Sequence, residues 1–463
     1  MEKFPLYLVE LFKLSTIDQN RSETHRFSLS VLKELMGHRF VTFQLTVPLQ
    51  AFLALKEVIK VAKAKTEKEY EELQQMSDAR HEATMKALHR LVTNCFLSKR
   101  KFLLVLAACR MITITLKHGV SEYAGTAFSV LGQLTVTSDP KTASYFGEIA
   151  LLLQQRIRPR FSECNTVFFV VCFILPWTRD LHHCMSYSTA GIMSGLQTGN
   201  LEHSCWNLLL FNNQIPYQMG KSISSILKHC EVDLAQMKEM KQEEQIIVYR
   251  LHHQLLLNLT GLSGSTTKLK GTAFDCDTFV PRTPLQSVVY DILQLDLYLF
   301  FGDLEHAANL ALRIEGNFRR TSPNYFVEMF ETFHCAVALY GMARKTKKRK
   351  FKSLAIKLRH RITKWLHRGN PNVQHYVLFL QAEQAALDGH VDTANKGFQD
   401  AIRLAARTGH MHHAALFNER YSDFLRYNMK DEDNAAFRLQ EAIRFYGEWG
   451  AKGVVRALSA RQS

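Results

Sequence analysis

The rhythm of apolar and polar positions changes at Thr66. Over 40–49 (Phe-Val-Thr-Phe-Gln-Leu-Thr-Val-Pro-Leu) apolar and polar residues alternate among β-branched side chains, a pattern open to a strand or an irregular lead-in, and 1–65 as a whole is atypical. Thr66-Glu-Lys-Glu-Tyr-Glu-Glu-Leu then opens on a hydroxyl cap with acids in the first turn, which predicts a helix start. From there to the end the apolar positions keep helical spacing. Short turn signals interrupt them: His118-Gly119, Ser138-Asp139-Pro140, Thr198-Gly199-Asn200, Phe301-Gly302-Asp303, Gly369-Asn370-Pro371 and Asp388-Gly389-His390. The stretch 261–284, rich in Gly, Ser, Thr and Pro, reads as a linker, and the basic run 344–352 as a second boundary. The expected organisation is therefore a lead-in (1–65), helical repeats (66–260), a linker (261–284), further repeats (285–343) and a basic helix with C-terminal repeats (344–463).

One helix-pair pattern recurs. After the turn Gly389-His-Val-Asp-Thr-Ala394 come Ala394, Phe398 and Ala401, the Ala-x3-aromatic-x2-Ala spacing of the second helix of a tetratricopeptide repeat. Steps of four and three put the three residues on one face, where the small ones let two helices approach closely. Gly302-Asp-Leu-Glu-His leads into Ala307, Ala311 and Ile314; Gly199-Asn-Leu-Glu-His leads into Ser204, Leu208 and Phe211. Ala435, Leu439 and Ala442 follow an acidic turn, and Ala143, Gly147 and Ala150 follow Asp139-Pro140. A turn before a helix that opens on small residues marks an αα-hairpin. The expected fold class is all-α, with αα-hairpins stacked as a degenerate tetratricopeptide-like solenoid.

Composition narrows this little. Hydrophobic residues make up 46%, and the 10 prolines and 22 glycines leave few helix breakers. Nine cysteines, with no Cys-x-x-Cys pair, read as reduced thiols. The N-terminus lacks the cationic start and apolar run of a signal peptide, and the longest apolar run, 167–175, is about half of the ~20 residues that span a bilayer. A cytoplasmic protein without a transmembrane segment is expected, a nuclear one being the alternative.

Several segments occur in order: His89-Arg-Leu-Val-Thr-Asn-Cys-Phe-Leu-Ser-Lys, Thr115-Leu-Lys-His-Gly119, Tyr145-Phe-Gly-Glu-Ile-Ala-Leu-Leu-Leu153 and Gly195-Leu-Gln-Thr-Gly-Asn-Leu-Glu202, with Gly369-Asn-Pro-Asn-Val-Gln-His-Tyr376, Ala405-Ala-Arg-Thr-Gly409, Asn418-Glu-Arg-Tyr421 and Trp449-Gly-Ala451. Together they resemble the tetratricopeptide-like region of very large multidomain signalling proteins. In that family a serine/threonine-kinase-like domain and an AAA-type ATPase module precede the helical region, and sensor and histidine-kinase domains often follow it. The resemblance covers 66–458 and implies the scaffold part of such a machine. The sequence has no Gly-x4-Gly-Lys-(Ser/Thr), His-Arg-Asp or Asp-Phe-Gly; Gly261-Leu-Ser-Gly-Ser-Thr-Thr-Lys268 lacks the Gly before its Lys. No enzymatic activity and no cofactor are expected.

The net charge is +15, and much of the excess sits in one stretch: Arg344, Lys345, Lys347, Lys348, Arg349, Lys350 and Lys352, continued by Lys357, Arg361, Lys364 and Arg368 beside an apolar stripe of Leu354, Leu358, Ile362 and Trp365. The run reads as a solvated helix end, a docking patch for an acidic partner or anionic surface, or a nuclear-localisation or nucleic-acid patch. The 20 histidines include the pairs His182-His183, His252-His253 and His412-His413. Neighbours on a helix point to different faces, so packed or surface imidazoles are expected rather than metal ligands. The expected function is a non-catalytic scaffold holding a protein partner in intracellular signalling, a kinase or ATPase module being the implied candidate. Nucleic-acid or anionic-surface binding through 344–368, and a remnant of a larger kinase/ATPase, are the alternatives.

Overall fold

Thr66 caps a short helix as its sequence requires: its hydroxyl accepts the Glu69 amide at 3.3 Å while the Glu69 carboxylate accepts the Thr66 amide at 2.7 Å. The computed structural model describes residues 47–98, 100–157 and 161–461, so most of the lead-in and of the alternating stretch 40–49 lies outside it, and the end of that stretch is helical. Among the described residues the chain is all-α, with no β-structure beyond two isolated bridges. Its helices are α1 (Val47–Lys63), α2 (Glu67–Glu71), α3 (Ala79–Leu97), α4 (Lys101–His118), α5 (Ala124–Thr135), α6 (Pro140–Gln155), α7 (Glu163–Phe173), α8 (Leu181–Thr198), α9 (Leu201–Leu209), α10 (Ile215–Gln218), α11 (Ile223–Glu239), α12 (Glu243–Thr260), α13 (Pro284–Phe300), α14 (Leu304–Ile314), α15 (Asn317–Thr321), α16 (Val327–Thr346), α17 (Arg349–His367), α18 (Gln374–Asp388), α19 (Val391–Arg407), α20 (Met411–Phe424), α21 (Glu432–Trp449) and α22 (Lys452–Ser459).

By packing, the described residues divide into two units, those within 47–175 with Met193–His203, and Pro176–Ile192 with 204–461. The stretch 261–284 lies inside the second. In the first unit α3 packs on α4, α4 on α5, α5 on α6, and α7 on both α5 and α6. The apolar run 167–175 becomes the buried α7 and the turn after it. No helix among the described residues is long and apolar enough to cross a membrane.

In the second unit the hairpins α11–α12, α13–α14, α16–α17, α18–α19 and α20–α21 stack in the tetratricopeptide-like manner. Their turns show why the repeated pentapeptide is built as it is. Gly302 takes the left-handed conformation (φ +70°) that ends α13, and Asp303 then caps α14 by accepting the His306 amide at 3.2 Å and bonding its imidazole at 2.8 Å. In the first unit His203 returns to Asn200 in the same way, at 3.4 Å.

Two helices are enclosed on every side. Residues 327–343 of α16 and 412–422 of α20 are all buried, so both lack a solvent face. The chain's end then folds back: α22 packs on α12, the Arg456 guanidinium donates to the Gly261 carbonyl at 3.0 Å, and a Cβ on Gly453 would lie 2.7 Å from the Gly261 amide nitrogen.

Candidate docking surface

The basic run straddles the turn from α16 to α17, and its members face two ways. Arg344 is not part of the exposed group. It points inward, its Nε 3.0 Å from Glu383 of α18, with side chains 8% and 0% exposed. A guanidinium on the last turn of a buried helix faces the core, whatever charges follow it in sequence. Lys352 is also engaged, 3.0 Å from Asp388, as is Arg361 on α17, 2.8 Å from Glu315. Lys345, Lys347, Lys348, Arg349 and Lys350, and on α17 Lys357 and Lys364, are exposed, with no ion pair among the described residues.

Local electrostatics at 347–350 run against the usual rules. Lys347 sits in the left-handed conformation (φ 57°) where Gly is easiest. α17 begins without a side-chain cap, and it carries Lys348, Arg349 and Lys350 where the helix dipole favours acids. Farther along the same face, Ser353, Ile356, Lys357, His360 and Lys364 rim a shallow depression of about 450 Å³.

The repeat positions lie in the interior. Ala143, Ser204, Ala307, Ala311, Ala394, Phe398, Ala401, Ala435, Leu439 and Ala442 are between 0% and 7% exposed. Between Ala394 and Ala401 stands Gly397, which the Ala-x3-aromatic-x2-Ala spacing does not mark; its Cβ would lie 2.9 Å from that of Ala382, so α18 and α19 meet there backbone to backbone.

The larger omission is a polar core in the second unit. His412 and His413 do point to different faces, but both faces are buried, and the two ring centroids lie 3.8 Å apart with the planes tilted by 35°. His375 Nε2 lies 3.2 Å from His413 Nδ1, and His334 Nδ1 lies 2.6 Å from Asp296, which also accepts the Tyr217 hydroxyl at 2.9 Å. Burial holds His375, His412 and His413 far below the ordinary imidazole value, so they are neutral at pH 7. Glu419, 3% exposed, pairs with the buried Arg420 at 2.5 Å and accepts the Tyr446 hydroxyl at 3.1 Å. On α16 burial raises Glu331 to about 8 and Glu328 to about 7.

Among the described residues, one group of three potential metal ligands comes together, Asp275, Cys276 and Asp277. Lys270 pairs with Asp277, and burial raises the Cys276 thiol. Those donors suit turn formation better than a metal.

The fold defines the chain as an αα-hairpin repeat protein. No family model matches it, and no curated protein does. Among solved structures it is similar to a Rap protein complexed with Competence and Sporulation Factor, at 10% identity and a TM-score of 0.35, over 98% of this chain and 100% of that one. So loose a superposition leaves the fold to rest on the packing described above.

Proposed function

We propose that this chain is a helical-repeat scaffold that docks an acidic protein segment on the exposed face of α17 and the turn before it. The observation that carries this reading is the division of charge. Arg344, Lys352 and Arg361 of this hairpin each meet a carboxylate, while 347–350 break two local rules and have none. Positions that defy local preference without serving the core are where a binding function is expected. The sequence resemblance supports a kinase or ATPase module in intracellular signalling as the partner, in the cytoplasm. Nucleic acid or an anionic surface is the second reading, since the same lysines would meet phosphates.

The test is a pull-down with the intact chain under nuclease treatment, beside a variant with Lys347, Lys348, Arg349 and Lys350 all changed to Gln. A protein retained by the parent, lost by the variant and bound again through its acidic segment in a purified titration supports the docking reading. Binding that nuclease abolishes, or a partner that the variant retains, overturns it.

A further inference from the structure

The stretch from Gly261 to Pro284 has the composition of a linker, but it folds back over the α11–α12 hairpin and is fastened there. Gln254, fully buried on α12, accepts the amides of Ala273 and Phe274 at 3.1 Å each and donates to Asn258 at 2.8 Å. Asn258 in turn donates to the carbonyls of Ser265, Thr266 and Lys268 at 2.9, 3.2 and 2.6 Å. Gly271 passes so near that a Cβ would lie 2.6 Å from Gln254 Nε2. Two buried amides thus fix the loop's path, and the loop becomes a wall.

Between that wall and the two helices lies a cleft of about 670 Å³, within the ~300–1,000 Å³ usual for small-molecule sites. One side is aromatic: Phe274 and Phe279 meet edge to face with centroids 4.9 Å apart, and Tyr290 backs Phe279 at 5.7 Å. The other side is cationic. Lys238 on α11, Arg250 on α12 and Arg282 at the loop's end line the cleft, and none has an ion pair among the described residues. His253, 7% exposed, also lines it, and its Nδ1 has no hydrogen-bond partner. A sequestered Nδ1 is least costly as a bare acceptor, which puts the proton on Nε2 and makes the ring a donor. Two carboxylates are present. Asp275 accepts the Asp277 amide at 2.9 Å within its own turn, and Glu231, exposed on α11 like Lys238, lies near enough to His253 to act on its charge. The donors outnumber the acceptors left for a ligand.

We propose that this cleft binds a small organic anion, an apolar ring or chain bearing one carboxylate or phosphate group. The ring lies against Phe274 and Phe279, and the charged group meets Arg250, with Lys238 and Arg282 beside it. Arginine suits this role because its planar donors match either oxyanion in two-point fashion. The preformed wall leaves little ordering to oppose binding.

The test is calorimetric titration of the intact chain with phenyl phosphate and with benzoate, against inorganic phosphate and benzyl alcohol as half-ligands. Saturable binding at one site is expected for phenyl phosphate or benzoate, and which of the two binds tighter assigns the headgroup. Each half-ligand should be weaker by about tenfold or more, and Arg250→Gln should weaken the whole probe by about tenfold or more with the tryptophan-fluorescence melt unchanged. Phe274→Ala, which leaves the Gln254 anchor to the backbone in place, should bring the whole probe down to the affinity of inorganic phosphate. No saturable binding of either whole probe at millimolar concentration overturns the proposal. So does inorganic phosphate binding as tightly as phenyl phosphate, or Arg250→Gln binding like the parent.

Discussion

Replacing Glu331 by Gln is expected to stabilise the second unit, by an amount that grows with pH. Glu331 is 1% exposed on α16; one carboxyl oxygen accepts the Phe318 amide at 3.4 Å, and the other has no partner. Burial, with Glu328 and Glu315 nearby, raises its pKa from 4.5 to about 8 against the pull of Arg361. At pH 7 the folded state therefore holds a proton that the unfolded chain releases. A group raised in this way contributes stability that is complete below 4.5 and fades as pH rises through 8. Relative to a side chain that stays neutral, that loss is about 3 kcal/mol at pH 7 and about 5 kcal/mol at pH 9. Gln keeps the acceptor for Phe318 and adds one N–H, whose desolvation costs roughly 1 kcal/mol. The net expectation is a gain of about 2 kcal/mol at pH 7, a gain of about 4 kcal/mol at pH 9, and a loss of about 1 kcal/mol below pH 4.5. All four tryptophans, at 177, 206, 365 and 449, belong to the second unit, so urea unfolding followed by their fluorescence reads that unit. A variant less stable than the parent at pH 9, or a difference that does not change between pH 5 and pH 9, would refute the reasoning.

Three further outcomes are expected. His252 is 6% exposed and lowered by burial from 6.5 to about 4, so its stabilising share is whole above 6.5 and falls as pH drops toward 4; His252→Gln should remove about 2 kcal/mol of the stability lost between pH 7 and pH 5, read by the same denaturation. Arg344→Met strands the fully buried Glu383 and should cost about 3 kcal/mol or more, whereas Lys350→Gln on the exposed turn should stay within about 0.5 kcal/mol, both by urea midpoint. Ala401→Leu overpacks a face where a Cβ at Gly397 already meets Ala382, and should lower stability by about 1–3 kcal/mol in the same assay.

What was legible in the sequence was what is decided within one turn of helix. Ala394, Phe398 and Ala401 share a face because of their spacing alone, and Gly302-Asp303 makes a turn because a left-handed residue and a cap are local requirements. What was not legible needed a partner far along the chain. His334 finds Asp296 across 38 residues and Arg344 finds Glu383 across 39, so a reading of neighbours placed one among packed imidazoles and the other in a surface run. The stretch 261–284 has the composition of a linker because tight, fastened turns draw on the same Gly, Ser and Thr as mobile ones. The residues that separate the two cases, Gln254 and Asn258, stand on α12.

The paired and unpaired cations of the α16–α17 hairpin also constrain each other. Had the basic run served only to keep a surface soluble, its charges would be interspersed with acids, since single-sign fields oppose the compact state. α17 has no acidic residue from Arg349 to His367, and the acids that reach it, Asp388 and Glu315, come from other elements and are already engaged by Lys352 and Arg361. Packing the hairpin therefore engages the counter-charge within reach and leaves Lys348, Arg349 and Lys350 at an uncapped helix start whose dipole repels them, with Lys347 beside them at the end of α16. An acidic segment laid there would relieve that repulsion and supply the missing caps in a single contact. This is why the four-residue variant should abolish docking while the hairpin keeps its fold.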